Sequence, residues 1–390
     1  AGAGAKFAGP VGEHHDGFVM WDTAFSRWNA AKMGPKRDIV AELEKSIRSR
    51  GMKFMVSLHN LENWFFYPHW WKEYDCADPQ YAGLYGEIHD EDNEALRNRF
   101  KGWWDWFPQT KPSIKALDSW LGKIKELCGR FSPDMLWFDG GLQFAREDYK
   151  KEMAAWYYNE LEQKGREGII AYKQRDMIAG SALNDVELGG LGRMQYGPWL
   201  TDTTVERGPL ISWSWAEGLV YKNAGELIQN LVDNISKNGF FLLNVGPRPD
   251  GSIPAEVQTL LKDMGRWLAV NGEAVYGTDI WFTHGEGPTK AGSGDFAQAK
   301  GETVSYTPQD IRYMRRGDTI YAFVFAWAGE YTLTELRALY GGEFKRVTML
   351  GSPEPLRFKH SGDGGLWIAS PQQKPEGPVW VFKIEREFTR

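Results

Sequence analysis

The sequence predicts an α/β protein, with a (β/α)8-type TIM barrel over residues 1–275 and an antiparallel β-sandwich over residues 276–390. Three observations carry this. Strand-like runs alternate with amphipathic helical ones for about 270 residues, which requires a parallel sheet with helices outside it. No G-x-G-x-x-G follows a strand, which argues against an open dinucleotide-binding sheet. After residue 275 the texture changes to short β-rich runs between Gly, Pro and Asp turns. Roughly six or seven strands can be counted before that point, so the barrel is expected to lack its first βα unit.

The elements follow in order. Residues 6–13 read as the first strand. Residues 38–50 carry Ile39, Val40, Leu43 and Ile47 on one helical stripe, with Asp38 suited to the N-cap and Gly51 to the stop. Residues 52–58 read as a buried strand. Residues 113–129 place Ile114, Leu117, Leu121, Ile124 and Leu127 on one side of a helix. The apolar strand at 134–138 ends at Asp139-Gly140-Gly141, a helix spans 147–163, and a strand spans 168–172. The helix at 224–237 is stopped by Asn238-Gly239, and a strand covers 240–245. Pro254 suits the first turn of a helix carrying Val257, Leu260, Leu261, Met264, Trp267 and Leu268. The later β runs lie at 312–315, 319–326, 344–350, 366–369 and 379–384, with a Gly-rich loop at 285–301.

Bulk properties narrow the function. Lys plus Arg number 46 against 52 for Asp plus Glu, so the net charge is −6 and no basic face for nucleic acid is implied. No apolar run reaches the ~20 residues of a membrane span. Cys76 and Cys128 are the only cysteines, so no disulfide framework can be read. The chain opens without Met or a signal-like region, consistent with a removed leader or a start within a domain. Most of the 19 tryptophans suit a large aromatic core. However, Trp64, Trp70, Trp71, Trp103, Trp104 and Trp106 fall within the irregular segment 60–112, where exposed rings would suit the apolar faces of sugars.

In such barrels, functional side chains gather at the C-terminal ends of the strands. The strand ends here offer Glu13, His14, His15 and Asp16; then His59 and Asn60, followed by Glu62 and Trp64; then Trp137 and Asp139; then Arg175, with Asp185 and Glu187 beyond. Three histidines could bind zinc. Adjacent strand residues point to opposite faces, though, and neither H-x-H nor H-E-x-x-H is present, so no metal is expected. Neutral imidazoles donate and accept hydrogen bonds, which suits sugar hydroxyls. Asp139 reads either as a turn cap or as a carboxylate nucleophile backed by Trp137. Retaining glycoside hydrolysis needs a second carboxyl ~5 Å away. Glu187, Glu206 and Glu217 are all candidates for it.

A longer pattern contains these residues. It begins with Ala3-Gly-Ala-Lys-Phe, His14-His15-Asp16-Gly17-Phe18 and Met20-Trp21-Asp22, then Trp28-Asn29, Lys36-Arg37-Asp38-Ile39-Val40 and Gly51-Met-Lys-Phe. It continues with Leu136-Trp-Phe-Asp-Gly140, Pro198-Trp199, Thr201-Asp202-Thr203 and Ser236-Lys-Asn-Gly-Phe-Phe-Leu-Leu-Asn-Val-Gly-Pro-Arg-Pro-Asp-Gly251. In order and spacing it resembles the α-L-fucosidases of glycoside hydrolase family 29, over roughly residues 1–280.

The resemblance implies a retaining mechanism with Asp139 as nucleophile and Glu187 as acid/base. It places His14, His15, His59 and Arg175 in the fucose pocket, and the residues themselves suggest Trp64 and Trp137 as aromatic contacts to the sugar. It implies a fucosylated oligosaccharide or polysaccharide as substrate, no cofactor, and a secreted or periplasmic home. Glu13 is expected to orient one of the histidines. Two departures stand out: the strand carrying the family's F-H-W-G motif is missing, and Leu200 stands where many relatives have Glu. A hydrolase of another, galactose-like sugar and a non-catalytic glycan-binding protein are the alternative readings.

Overall fold

The computed structural model describes residues 1–59, 61, 63–67, 74–86, 112–173, 176–208, 213–297, 304–337 and 343–387. The chain forms two compact units, residues 5–184 and residues 185–390, the second also taking in residues 2–4.

The first unit is a parallel sheet covered by helices. Its strands are β1 (Phe7–Ala8), β2 (Val11–Glu13), β3 (Lys53–Leu58), β4 (Met135–Phe138), β5 (Ile169–Tyr172) and β6 (Leu183–Asn184). They run in the order β1-β3-β4-β5-β6, with β2 also on β3. The strand expected at 6–13 is therefore broken at Gly9-Pro10. Pro10 has no N–H to give a ladder. Gly9 passes so close to β3 that a Cβ there would sit 1.7 Å from the Met55 carbonyl oxygen.

Among the described residues, this unit also holds helices α1 (Ile39–Arg48), the single turn α2 (Asn63–Phe66), α3 (Ile114–Phe131) and α4 (Glu147–Gln163). The Asp38 carboxylate caps α1 by accepting from Ala41 N at 2.9 Å, as its position predicts. Ser113 caps α3 in the same way, accepting from Ala116 N at 3.1 Å. One core joins Phe54, Val56 and Leu58 of β3 and Leu136 and Phe138 of β4 to Leu117 and Ile124 of α3 and Met153 and Tyr157 of α4. Each such buried side chain contributes about 1.5–3 kcal/mol of transfer free energy.

The second unit holds two more parallel strands, β7 (Trp199–Thr204) and, after the short β8 (Glu206–Arg207), β9 (Val220–Tyr221) and α5 (Ala224–Ser236), strand β10 (Gly239–Asn244). Helix α6 (Ala255–Asn271) follows. The sequence pattern misses β7, because Trp-Leu-Thr-Asp-Thr-Thr shows neither alternation nor an apolar run. All six of its residues are nonetheless buried. The Thr201 and Thr203 hydroxyls and the Thr204 carbonyl are satisfied inside. Thr201 Oγ1 donates to the Val186 and Gly189 carbonyls at 3.0 Å each, and Lys222 Nζ donates to Thr203 Oγ1 at 3.1 Å and to the Thr204 carbonyl at 2.8 Å.

The C-terminal part of this unit is the expected antiparallel sandwich. Strands β11 (Asp279–Glu286), β12 (Ile311–Arg316), β13 (Thr319–Val324), β14 (Glu330–Leu333), β15 (Glu343–Met349), β16 (Phe358–His360), β17 (Leu366–Ala369) and β18 (Trp380–Glu387) form it. One sheet runs β11-β12-β13-β18-β15 and the other β14-β17-β16. Tyr313, Val324, Val347 and Phe382 of the first share a core with Leu333, Leu366 and Ile368 of the second. Strand β11 begins before the expected Gly-rich loop and reaches Glu286. A buried ion triad ties α5 to this sandwich: Asp233 accepts from Lys237 Nζ at 2.6 Å and from Arg312 Nε at 2.8 Å. Among the described residues, no helix is long and apolar enough to cross a membrane.

Candidate active site

Strand register builds the site. Glu13 of β2 pairs with Leu58 of β3, and Leu58 with Phe138 of β4. The next residue of each strand is His14, His59 and Asp139. Trp137 pairs with Ala171 of β5, so Lys173 comes level with Asp139. Neighbouring strands lie about 4.8 Å apart, so these side chains emerge as one row at the C-terminal edge of the sheet.

His14 and His59 stack with ring centroids 4.2 Å apart. Beyond them the chain turns sharply, and Gly17 N donates to the His14 carbonyl at 3.0 Å. Asp16 Oδ1 accepts from Phe18 N at 3.0 Å and holds the same turn. Gly17 sits at φ +77°, and a Cβ there would lie 1.8 Å from the Leu84 carbonyl oxygen. The turn takes His14 and His15 out of strand alternation, and their rings lie 4.3 Å apart. The expectation that they face opposite ways is thereby corrected: one nitrogen from each of His14, His15 and His59 falls within 4.8 Å of the others. Phe66 of α2 stacks on His15 at 4.2 Å, nearly coplanar at 10°. The Glu13 side chain is fully buried, and its Oε1 accepts from Lys123 Nζ of α3 at 2.6 Å.

Asp139 is the centre of the cluster. Its backbone N donates to the Leu58 carbonyl at 3.2 Å. Its Oδ2 accepts from His59 Nδ1 at 2.7 Å and lies 3.7 Å from His15 Nε2. Its Oδ1 accepts from Lys173 Nζ and from Gly140 N, at 2.9 Å and 3.0 Å. Burial alone would raise the Asp139 pKa. The Lys173 ammonium, then the nearby His15 ring and the hydrogen bond from His59, override burial and hold the carboxyl well below its usual range. The imidazoles are pushed the other way. Desolvation, followed by the charges of His59 and His15, takes His14 down to about 3. Desolvation also lowers buried His59 against the pull of Asp139. At neutral pH the Asp139 carboxylate therefore lies beside neutral His14 and His59 rings, which can donate and accept hydrogen bonds. Trp137 is buried beside it, its ring 5.4 Å from that of His59 and 4.9 Å from Lys173 Nζ.

The structure thus brings together His14, His15, His59, Trp137 and Asp139. Lys173 and Phe66 join them without having been anticipated. Lys173 follows an apolar strand directly, which was the available signal, and Phe66 lies in the aromatic-rich segment. Asn60, Glu62, Arg175 and the Trp64 side chain lie outside the described residues. Glu187 belongs to the second unit and is half-buried there. Its N donates to Asp295 Oδ1 at 2.9 Å and its carbonyl accepts from Phe296 N at 2.6 Å. Of the other carboxyl candidates, Glu206 is buried in β8 and Glu217 is exposed.

The sequence matches the family model described as alpha-L-fucosidase over residues 1–273. The chain belongs to the α-L-fucosidase family of glycoside hydrolases. A second match, to the alpha-L-fucosidase C-terminal domain, covers residues 304–385, within the sandwich. Plasma alpha-L-fucosidase of Homo sapiens is 28% identical over 389 residues, covering 95% of this chain and 69% of that protein. Tissue alpha-L-fucosidase of Homo sapiens is 25% identical over 394 residues, covering 98% and 72%. The solved structure of Thermotoga maritima alpha-fucosidase in complex with fucose is similar at a TM-score of 0.72 and 24% identity, covering 98% of this chain and 76% of that one. The fold class expected from the sequence agrees with this α-L-fucosidase architecture.

Proposed function

We propose that the protein is a retaining α-L-fucosidase that releases terminal α-L-fucosyl residues from glycans through a covalent fucosyl-enzyme intermediate. The observation that carries this reading is the Asp139 carboxylate, held ionised by Lys173 and the histidines at the end of β4. A nucleophile must be unprotonated to attack, and this one is so far into the acid range.

In the first step an Asp139 oxygen attacks the anomeric carbon, the bond to the aglycone oxygen breaks, and Glu187 delivers a proton to that oxygen. In the second, the Glu187 carboxylate takes a proton from water. The water oxygen attacks the anomeric carbon and Asp139 leaves as carboxylate. Neither step requires a cofactor. His14, His15, His59 and Arg175 hold the sugar hydroxyls, and Trp64 and Trp137 offer apolar surface. In this reading residues 1–275 carry the chemistry, residues 276–390 form an accessory sandwich, and the protein is secreted or periplasmic.

The test is release of an aryl alcohol from an aryl α-L-fucoside. Wild type turns over. Asp139→Gly is inactive until azide restores release and yields β-fucosyl azide. Glu187→Ala with azide yields the retained α-fucosyl azide. Retained azide product from a Glu206 or Glu217 variant instead would move the acid/base role there. No turnover of any α-L-fucoside by wild type would overturn the proposal.

A further inference from the structure

We propose that His14, His15 and His59, with Asp139 beside them, form a binding site for one divalent transition-metal ion of the Zn2+ type, and that this ion excludes the sugar from the pocket. The inference rests on the reading of these histidines as sugar contacts, and adds a second ligand class to them.

The geometry has three parts. First, one nitrogen from each ring lies within 4.8 Å of the other two. Tetrahedral zinc binds histidine at about 2.0–2.1 Å, which needs nitrogens roughly 3.4 Å apart. Ring rotation at His14, which lies at the accessible rim, and at half-buried His15 can close that gap. Second, Asp139 Oδ2 lies 2.7 Å from His59 Nδ1 and 3.7 Å from His15 Nε2. A carboxylate thus stands beside two of the rings, and its hydrogen bond to His59 is the kind of outer-shell contact that orients a ligand imidazole. Third, the ligands come from rigid places: two parallel strand ends in register and a turn locked by Gly17. Imidazole and carboxylate together suit zinc, cobalt, nickel and copper better than calcium or magnesium.

One feature opposes the ion. The Lys173 ammonium lies 2.9 Å from Asp139 Oδ1 and competes for the same negative charge. The site is therefore a reversible one, and removal of that ammonium tightens it.

The experiment titrates untagged, chelator-treated protein with Co2+ and follows the visible absorption that tetrahedral or five-coordinate cobalt develops on nitrogen ligands. One equivalent saturates wild type and Zn2+ displaces it. His14→Gln and His59→Gln each weaken Co2+ binding by more than about a hundredfold, beyond what loss of an outer-shell partner costs, while their circular dichroism stays that of wild type. Lys173→Met binds Co2+ more tightly. Excess L-fucose raises the apparent Co2+ Kd in proportion to its concentration. The proposal is overturned if wild type shows no saturable binding. It is also overturned if the cobalt band survives in both histidine variants, which would place the ion elsewhere. Loss of the band in the variants without competition by fucose keeps the metal site and removes the sugar-pocket reading. No readout depends on turnover, so failure of the proposed activity is distinguishable.

Discussion

Removal of the Lys173 charge is the perturbation that separates the electrostatic account of Asp139 from a purely positional one. Methionine keeps most of the alkyl stem of Lys173, which is almost completely buried, and deletes only the ammonium 2.9 Å from Asp139 Oδ1. An opposite charge at such range lowers a carboxyl by about 1–3 pKa units. At about 1.4 kcal/mol per unit, this corresponds to roughly 1.4–4 kcal/mol favouring the ionised form. The folded Asp139 pKa lies below its unfolded value. Its contribution to stability is therefore complete above the unfolded carboxyl range and fades as pH falls through the folded pKa. In Lys173→Met the folded pKa rises, so the acid limb of kcat/KM against pH moves up by about 1–3 units. Acid-induced unfolding begins at a higher pH as well. The assay is aryl α-L-fucoside hydrolysis across the acid range, with melting curves at each pH. An acid limb that stays in place while kcat/KM falls uniformly would refute the reasoning, leaving His59 and His15 as the groups that keep Asp139 ionised.

Two further outcomes follow from burial and backbone geometry. Asp233→Ala leaves Lys237 and Arg312 as uncompensated buried cations and should cost about 3–5 kcal/mol in denaturant unfolding. The combined change of Asp233, Lys237 and Arg312 to Leu, Met and Met should recover most of that, and a loss under about 1 kcal/mol in the single variant would show that water reaches the triad. Gly17→Ala places a methyl group 1.8 Å from the Leu84 carbonyl oxygen at φ +77°. It should cost about 1–3 kcal/mol in melting and raise KM for the fucoside as His14 and His15 shift, whereas wild-type KM would mean that the turn does not set the rings.

Much of the fold is legible without coordinates, because its signals are local. Helix α3 is readable from its periodicity, α1 from Asp38 and Gly51, and β4 from four apolar residues ahead of Asp139-Gly-Gly. The polar residues at strand ends, and the resemblance they support, likewise follow from residue order. Tertiary structure alone decides which of them meet. His14, His59, Asp139 and Lys173 share a row because three strand pairings happen to be in that register. Register is set by partners far away in the chain, and a slip of one residue would turn every side chain to the other face. The same holds for β7, whose Thr201 and Thr203 hydroxyls look solvent-facing until the carbonyls and the lysine that satisfy them are in place. The sequence alone determined the order of elements and the chemistry available at their ends. Only long-range pairing decided that a lysine, rather than the histidines alone, neutralises Asp139, and that two adjacent histidines can converge on one point.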